Sequence, residues 1–132
     1  MKDEISRAVA ACNAAHDKSS SASAYDALLS AAGNNHAGTY TPSLMALLPL
    51  VHDVLDHGQD WPKHAALEAL IDLYGSFEPA PDCLSHDGAN LQLMVRQRIA
   101  SMQTSIAAVA RAPGVASHSA QELLELIRET AA

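Results

Sequence analysis

Aromatic side chains make up only 4% of this 132-residue chain (Tyr25, Tyr40, Trp61, Tyr74 and Phe77), whereas hydrophobic residues make up 48%. Alanine and leucine must therefore fill the interior. Both favour helices, and they suit thin core layers between closely packed helices better than the β-branched and aromatic faces of sheets. The chain is expected to be all-α. A chain of this length buries roughly two-thirds of its unfolded surface, so residues 1–132 are read as a single helical domain with a real core.

Apolar periodicity places the helices. Ile5, Val9 and Cys12 share one face of a first helix from about Lys2 to His16, and Asp17-Lys18-Ser19-Ser20-Ser21 is expected to break the chain. A shorter second helix then holds Tyr25, Leu28 and Leu29 and ends at Gly33, a residue suited to the left-handed C-terminal position. Asn34 to Tyr40 has no helical period and is rich in turn formers, after which Thr41-Pro42 offers an N-cap followed by proline at the first helical position. Leu44, Leu47, Leu48, Val51, Val54 and Leu55 form a wide stripe up to Gly58, and Pro49 inside it predicts a kink rather than a break. Asp60-Trp61-Pro62 repeats the cap-then-proline start, and Leu67, Leu70, Ile71, Tyr74 and Phe77 line the next helix until Gly75 and Pro79 stop it.

Glu78 to Gly88 reads as an exposed acidic loop. From Ala89 to about Ala112, Leu91, Val95, Ile99, Met102, Ile106 and Val109 recur at steps of four and three, the spacing of one long helix. Ser119 with Glu122 reads as the capping box of a closing helix buried through Leu123, Leu126 and Ile127. Three helical hairpins of roughly 40 residues each, without sheet signals, suggest a short right-handed α-solenoid, with a six-helix globular bundle as the alternative.

The charge is lopsided. Between Ser19 and Val95 the carboxylates Asp26, Asp53, Asp56, Asp60, Glu68, Asp72, Glu78, Asp82 and Asp87 face one formal cation, Lys63, and the net charge of the chain is −7. Such a surface repels nucleic acid and anionic lipid and speeds encounter with cationic partners, although it equally serves solubility. Met1-Lys2-Asp3-Glu4-Ile5 has no apolar run behind a basic start, and no stretch approaches the length that spans a bilayer, so a cytoplasmic protein without membrane attachment is expected. Cys12 and Cys83 lie far apart without a CxxC spacing, which favours two buried thiols over a disulfide or a zinc knuckle. Arg96, Arg98 and Arg111 make a weak nucleic-acid footprint and are expected to pair with Glu122, Glu125 or Glu129.

One constellation could carry chemistry. On a helix His52 faces Asp56 and Asp53 faces His57, two rows of mixed imidazole and carboxylate that can bind a divalent metal. The His52-Asp53 pair, with His36 before it and Asp72 or Asp87 after it, is similar to the histidine-aspartate metal phosphohydrolases, an all-helical group. Against that activity, the spacing from His36 to His52 is short, no cluster of Lys or Arg awaits a phosphate, and negative charge crowds the place. A solvated polar face is expected instead. The sequence contains no GxSxG, no phosphate-binding glycine loop and no HExxH, so neither an active site nor a cofactor or metal is expected.

The middle of the chain carries a resemblance. Asn34-Asn35-His36-Ala37-Gly38-Thr39-Tyr40-Thr41-Pro42, then an apolar helix with Pro49 inside it, then the Ala-Leu-rich run from Ala65 to Phe77, resembles the bacterial HEAT-repeat-like proteins with an Asn-His-x-Gly-Thr-x-x-Pro stretch. It covers Asn34 to Glu78, a third of the chain; the flanking hairpins show no second copy, and the chain is shorter than many of that group. The resemblance implies an immunity-type protein that neutralises a bacterial toxin. Within the motif Gly38 is expected to supply a positive φ, Asn35 and His36 to hydrogen-bond the loop to neighbouring carbonyls, and Tyr40 to pack at the hairpin base, with Thr39 and Pro42 completing it. The expected mechanism is occlusion. Asp53, Asp56, His57, Asp60, Glu78, Asp82 and Asp87 would present an acidic face to the basic cleft of a toxin such as a nuclease, with Trp61 either an aromatic anchor or a staple into the core. A structural assembly subunit with a constitutive partner fits the same surface.

Overall fold

The computed structural model describes residues 2 to 131, with side chains for residues 4 to 130. Asp17 decides where the first hairpin turns. Its carboxylate accepts the Ser20 N–H at 2.8 Å, and the Asp17 N–H donates to Ser20 Oγ at 3.1 Å, a reciprocal cap. Helix α1 (Lys2–Ala14) therefore stops before His16, and α2 (Lys18–Ala32) absorbs the serine run that the sequence reading treats as a break. Serine is a weak helix former, but one good cap offsets several such residues.

Gly33 ends α2 differently from expectation. Its φ of 165° is extended rather than left-handed, and a Cβ there would lie 2.6 Å from both the Thr39 carbonyl oxygen and Tyr40 Cα. Glycine is needed for that close approach. Strand β1 (Gly33–Asn34) pairs antiparallel with β2 (Thr39–Tyr40), and β3 (Glu78–Pro79) adds to β2 in parallel, so a small three-stranded sheet interrupts the helices. Strands of two residues have no alternation to read, which is why the sequence shows no sheet signal. Gly38, between β1 and β2, has the expected positive φ, 70°.

Helix α3 (Ser43–His57) begins with the Thr41 hydroxyl accepting the Ser43 N–H at 3.3 Å, and all six residues of its predicted stripe are buried. Exposed Pro49 leaves the helix continuous. Helix α4 (Asp60–Gly75) is buried on nearly every side through Pro62, Ala65, Ala66, Leu67, Ala69, Leu70, Leu73 and Tyr74. Each fully buried leucine there contributes roughly 1.5–3 kcal/mol relative to exposure.

The predicted long helix is two helices. α5 (Leu91–Ala100) and α6 (Gln103–Arg111) meet at Ser101-Met102, where ψ opens to −13° and 6°, and the Ser101 hydroxyl donates back to the Arg98 carbonyl. The apolar period survives this turn, since all six predicted positions from Leu91 to Val109 are buried. Helix α7 (Ser117–Ala131) starts before the expected Ser119-Glu122 box. Ser119 is buried and donates to Glu68 at 2.8 Å, while Glu122 meets His118 at 3.7 Å, so neither caps the helix.

The fold is all-α apart from these short strands. α1 packs on α3 and α3 on α6, while α2 packs on α4 and α4 on α7; α1 also pairs with α2, and α6 with α7. The buried residues form one cluster. Among the described residues no helix is long and apolar enough to cross a membrane.

Candidate functional site

The predicted acidic face divides between the two ends of α3 and α4. At 1.5 Å per residue, the 16 residues of α4 hold Asp60 about 22 Å from the segment that begins at Glu78. Asp53, Asp56, His57, Asp60 and Trp61 lie at the α3–α4 junction; Glu78, Asp82 and Asp87 lie at the other end.

At the junction several of these side chains serve the fold. The Ser105 hydroxyl of α6 donates to Asp56 at 2.5 Å, and His52 Nε2 lies 2.9 Å from the same oxygen and 3.7 Å from Asp56. Because the single hydroxyl proton goes to Asp56, the imidazole nitrogen must be the donor to Ser105. This is a strut between α3 and α6 rather than a nucleophile, whose histidine would have to accept the serine proton and meet the carboxylate through its other nitrogen. Asp60 accepts the Val115 N–H at 2.9 Å, and a Cβ on Gly114 (φ 147°) would collide with its carboxylate oxygens. Trp61 is half-buried against the core and edge-on to His64, with ring centroids 5.4 Å apart. Only Asp53 and His57, 3.8 Å from each other, project freely into solvent.

The motif residues build the opposite end. The Asn34 side chain accepts the Ala37 N–H at 3.1 Å, so Asn34, not Asn35, supplies the side-chain bond that holds the loop; Asn35 contributes its carbonyl to the Gly38 N–H, and His36 is exposed. Gly38 and Tyr40 accept through their carbonyls the N–H groups of Glu78 and Ala80, which fastens the strand after α4. Tyr40 is fully buried at the hairpin base as expected, and its hydroxyl has no hydrogen-bond partner among the described residues. Burial pushes its pKa up to about 12, with Glu78 adding to the rise and Arg96 opposing it. Thr39 and Thr41 line a cleft of about 640 Å³ together with Glu4, Ser30, Asn34 and Pro81; Pro42 is half-buried beside them.

Beyond β3 the expected loop is organised. A 3-10 turn (Pro81–Cys83) leads into a hairpin of β4 (Ser85–His86) and β5 (Ala89–Asn90), with Asp87 at φ 51° and Gly88 at φ 79°. Two left-handed residues between two strands make the tight turn that Asp-Gly favours, so this hairpin was legible in the sequence. The Asn90 side chain caps α5 by accepting the Leu93 N–H at 2.9 Å. Leu84 and Leu93, which sequence reasoning passed over, are 62% and 55% exposed. Leu93 had one signal: it falls off the period that buries Leu91 and Val95. Asp87 is 88% exposed beside His86 at 3.5 Å. Cys83 is partly exposed rather than buried, and burial and then Asp82 raise its pKa; Cys12 is fully buried, pushed up to about 11 by desolvation, and donates to the Pro62 carbonyl.

The metal-site residues are dispersed. His36 stands on the β1–β2 turn and His52 about 13 Å along α3 from its start, Asp72 accepts the Tyr25 hydroxyl, and Asp87 tips the hairpin. Among the described residues no three His, Cys, Asp or Glu side chains gather as a metal site. The arginines do not meet α7 as expected: Arg96 donates to the Tyr74 carbonyl at 3.3 Å and stacks 5.6 Å from that ring, while Arg98 and Arg111 reach no carboxylate among the described residues. In the acidic segment the bridges to Asp53, Asp56 and Asp87 all come from histidines, and among the described residues none comes from lysine or arginine. No family model matches this chain, and no match was found among curated proteins or solved structures.

Proposed function

We propose that this protein is an immunity-type inhibitor, which binds a bacterial toxin domain in the cytoplasm and occludes its basic active-site cleft. The observation that carries the reading is the uncompensated acidity of the segment from Ser19 to Val95, whose one cation, Lys63, bridges none of its carboxylates among the described residues. Uncompensated carboxylates attract a basic cleft over a Debye length and raise the encounter rate. Helices that pair in chain order, α1 with α2, α3 with α4 and α6 with α7, fit a finer reading of the fold as a short right-handed α-solenoid of three hairpins, a frame suited to presenting a surface. Rigidity keeps the entropic cost of docking low.

Co-expression with each product of the neighbouring genes that arrests growth when expressed alone tests the proposal. Growth restored by the wild-type chain supports it, and arrest that persists at equal expression overturns it. Reversing Asp53, Asp82 and Asp87 to Lys should slow association by about tenfold and flatten its salt dependence while leaving helicity unchanged.

A further inference from the structure

The two most exposed large apolar side chains among the described residues flank one hairpin. Leu84 immediately precedes β4 and Leu93 lies in the first turn of α5, joined through the bond from the Leu91 N–H to the Leu84 carbonyl at 3.0 Å. Between them runs the β4–β5 hairpin with Asp87 at its tip, and Asp82 lies just before it. No lysine or arginine occurs between Lys63 and Arg96, and Arg96 is engaged by Tyr74. Apolar area this exposed is held on a conformation fixed in advance by two left-handed turn residues, paired strands and the Asn90 cap.

We infer that this hairpin is the insertion element: it enters a cleft on a partner protein, Leu84 and Leu93 meeting an apolar floor while Asp82 and Asp87 meet lysine or arginine on the walls. The inference rests on the reading of this chain as a protein that binds another protein, and it names the part that docks. Three physical points favour this occupant. Preorganised turns lose little conformational entropy on binding. Leu84 stands between Asp82 and Asp87 in the chain, and an apolar contact flanked by carboxylates matches a cationic partner, since a like-charged one would be repelled. A second copy of this chain would bring its own Asp82 and Asp87 against these, so self-association through the hairpin is disfavoured.

Site-specific photo-crosslinking in the native host tests it. p-Benzoylphenylalanine replaces Leu84 or Leu93, with Leu50 and Val115, the other exposed apolar residues, as controls; substitution at exposed positions leaves the core intact. Both hairpin positions should crosslink to the same protein, at peptides rich in lysine and arginine, and the controls should not. Adding Asp82→Lys and Asp87→Lys should reduce the yield by about tenfold with an unchanged circular dichroism spectrum. Crosslinks to a second copy, to an acidic surface, in equal yield from Leu50, insensitive to the charge reversal, or absent altogether would overturn the inference. A basic partner without toxin activity, captured at both positions, sustains this inference and removes the immunity reading, so the two fail separately.

Discussion

Replacing Tyr40 by phenylalanine should stabilise the protein, an unusual direction for a change at a fully buried position. Tyr40 has 0% exposure, and its hydroxyl is a buried polar atom with no partner among the described residues. Burying an unpaired hydroxyl costs about 1–3 kcal/mol in protein mutational data. Phenylalanine keeps the ring and its contacts in the core, and it leaves the backbone pairing of β2 with Gly33 and Pro79 untouched. With a pKa near 12 the phenol is neutral at pH 7, so no ionic interaction is lost. The removed oxygen leaves a void smaller than a methyl group, which returns a few tenths of a kcal/mol at most, about 24 cal/mol per Å³. The net expectation is a gain of about 1–2 kcal/mol. Urea unfolding followed by circular dichroism reads this as a midpoint raised by about 0.5–1 M with an unchanged slope. A lowered midpoint at the same slope would refute the reasoning, because the hydroxyl would then be bonded in the native state.

Asp60→Ala should destabilise by about 1 kcal/mol or more through loss of the bond to the Val115 N–H, whereas Asp53→Ala, exposed on the same end, should stay within about 0.5 kcal/mol; equal midpoints for the two variants would sink the distinction. Gly33→Ala should cost about 1–3 kcal/mol, since its Cβ would press on the backbone of Thr39 and Tyr40, and a melting temperature equal to wild type would contradict that contact. The stability that Cys12 contributes should be constant below pH 9 and be lost between pH 9 and 11, because burial raises its pKa from 9.0 to about 11. The unfolded thiol ionises first over that window, which removes about 2–3 kcal/mol, and Cys12→Ala should flatten the slope between pH 9 and 10; the raised pKa values at Tyr25 and Tyr40 add a loss that begins near their unfolded value of 10.0.

Strong periodicity was legible, whereas local geometry was legible only at turns such as Gly38 and Asp87-Gly88. The stripe from Leu44 to Leu55 and the six apolar positions from Leu91 to Val109 are buried where the spacing put them, because burial follows the period over several turns. The same period concealed the turn at Ser101-Met102, since a step of three residues fits both one helix and two helices meeting at a turn. Caps decided the boundaries that were misplaced. Asp17 outweighs the serines behind it, and Ser119 turns inward to Glu68 because the chain brings a half-buried carboxylate acceptor within reach, which no local sequence rule foresees. In the motif, Asn34 and Asn35 are adjacent residues of one type, and only the path of the turn decides which side chain closes it.

The acidic residues were found from composition, but their division of labour depends on what the fold sets opposite each one. Asp56 and Asp60 meet donors on α6 and on the segment before α7, partners about 50 residues away in sequence that only tertiary packing supplies. Asp87 tips a hairpin whose own turn satisfies its backbone and Asp82 lies on the 3-10 turn before it, and both are exposed, so their charge is left facing water. A carboxylate engaged within the fold contributes mainly to stability, and one projecting from a preorganised hairpin can act on a partner. Neutralisation should therefore separate the two ends: Asp60→Ala lowers the unfolding midpoint, and Asp87→Asn, which suits the left-handed turn position, changes association while leaving the midpoint within experimental spread. A loss of stability at Asp87 as large as that at Asp60 would mean that the hairpin, too, belongs to the scaffold.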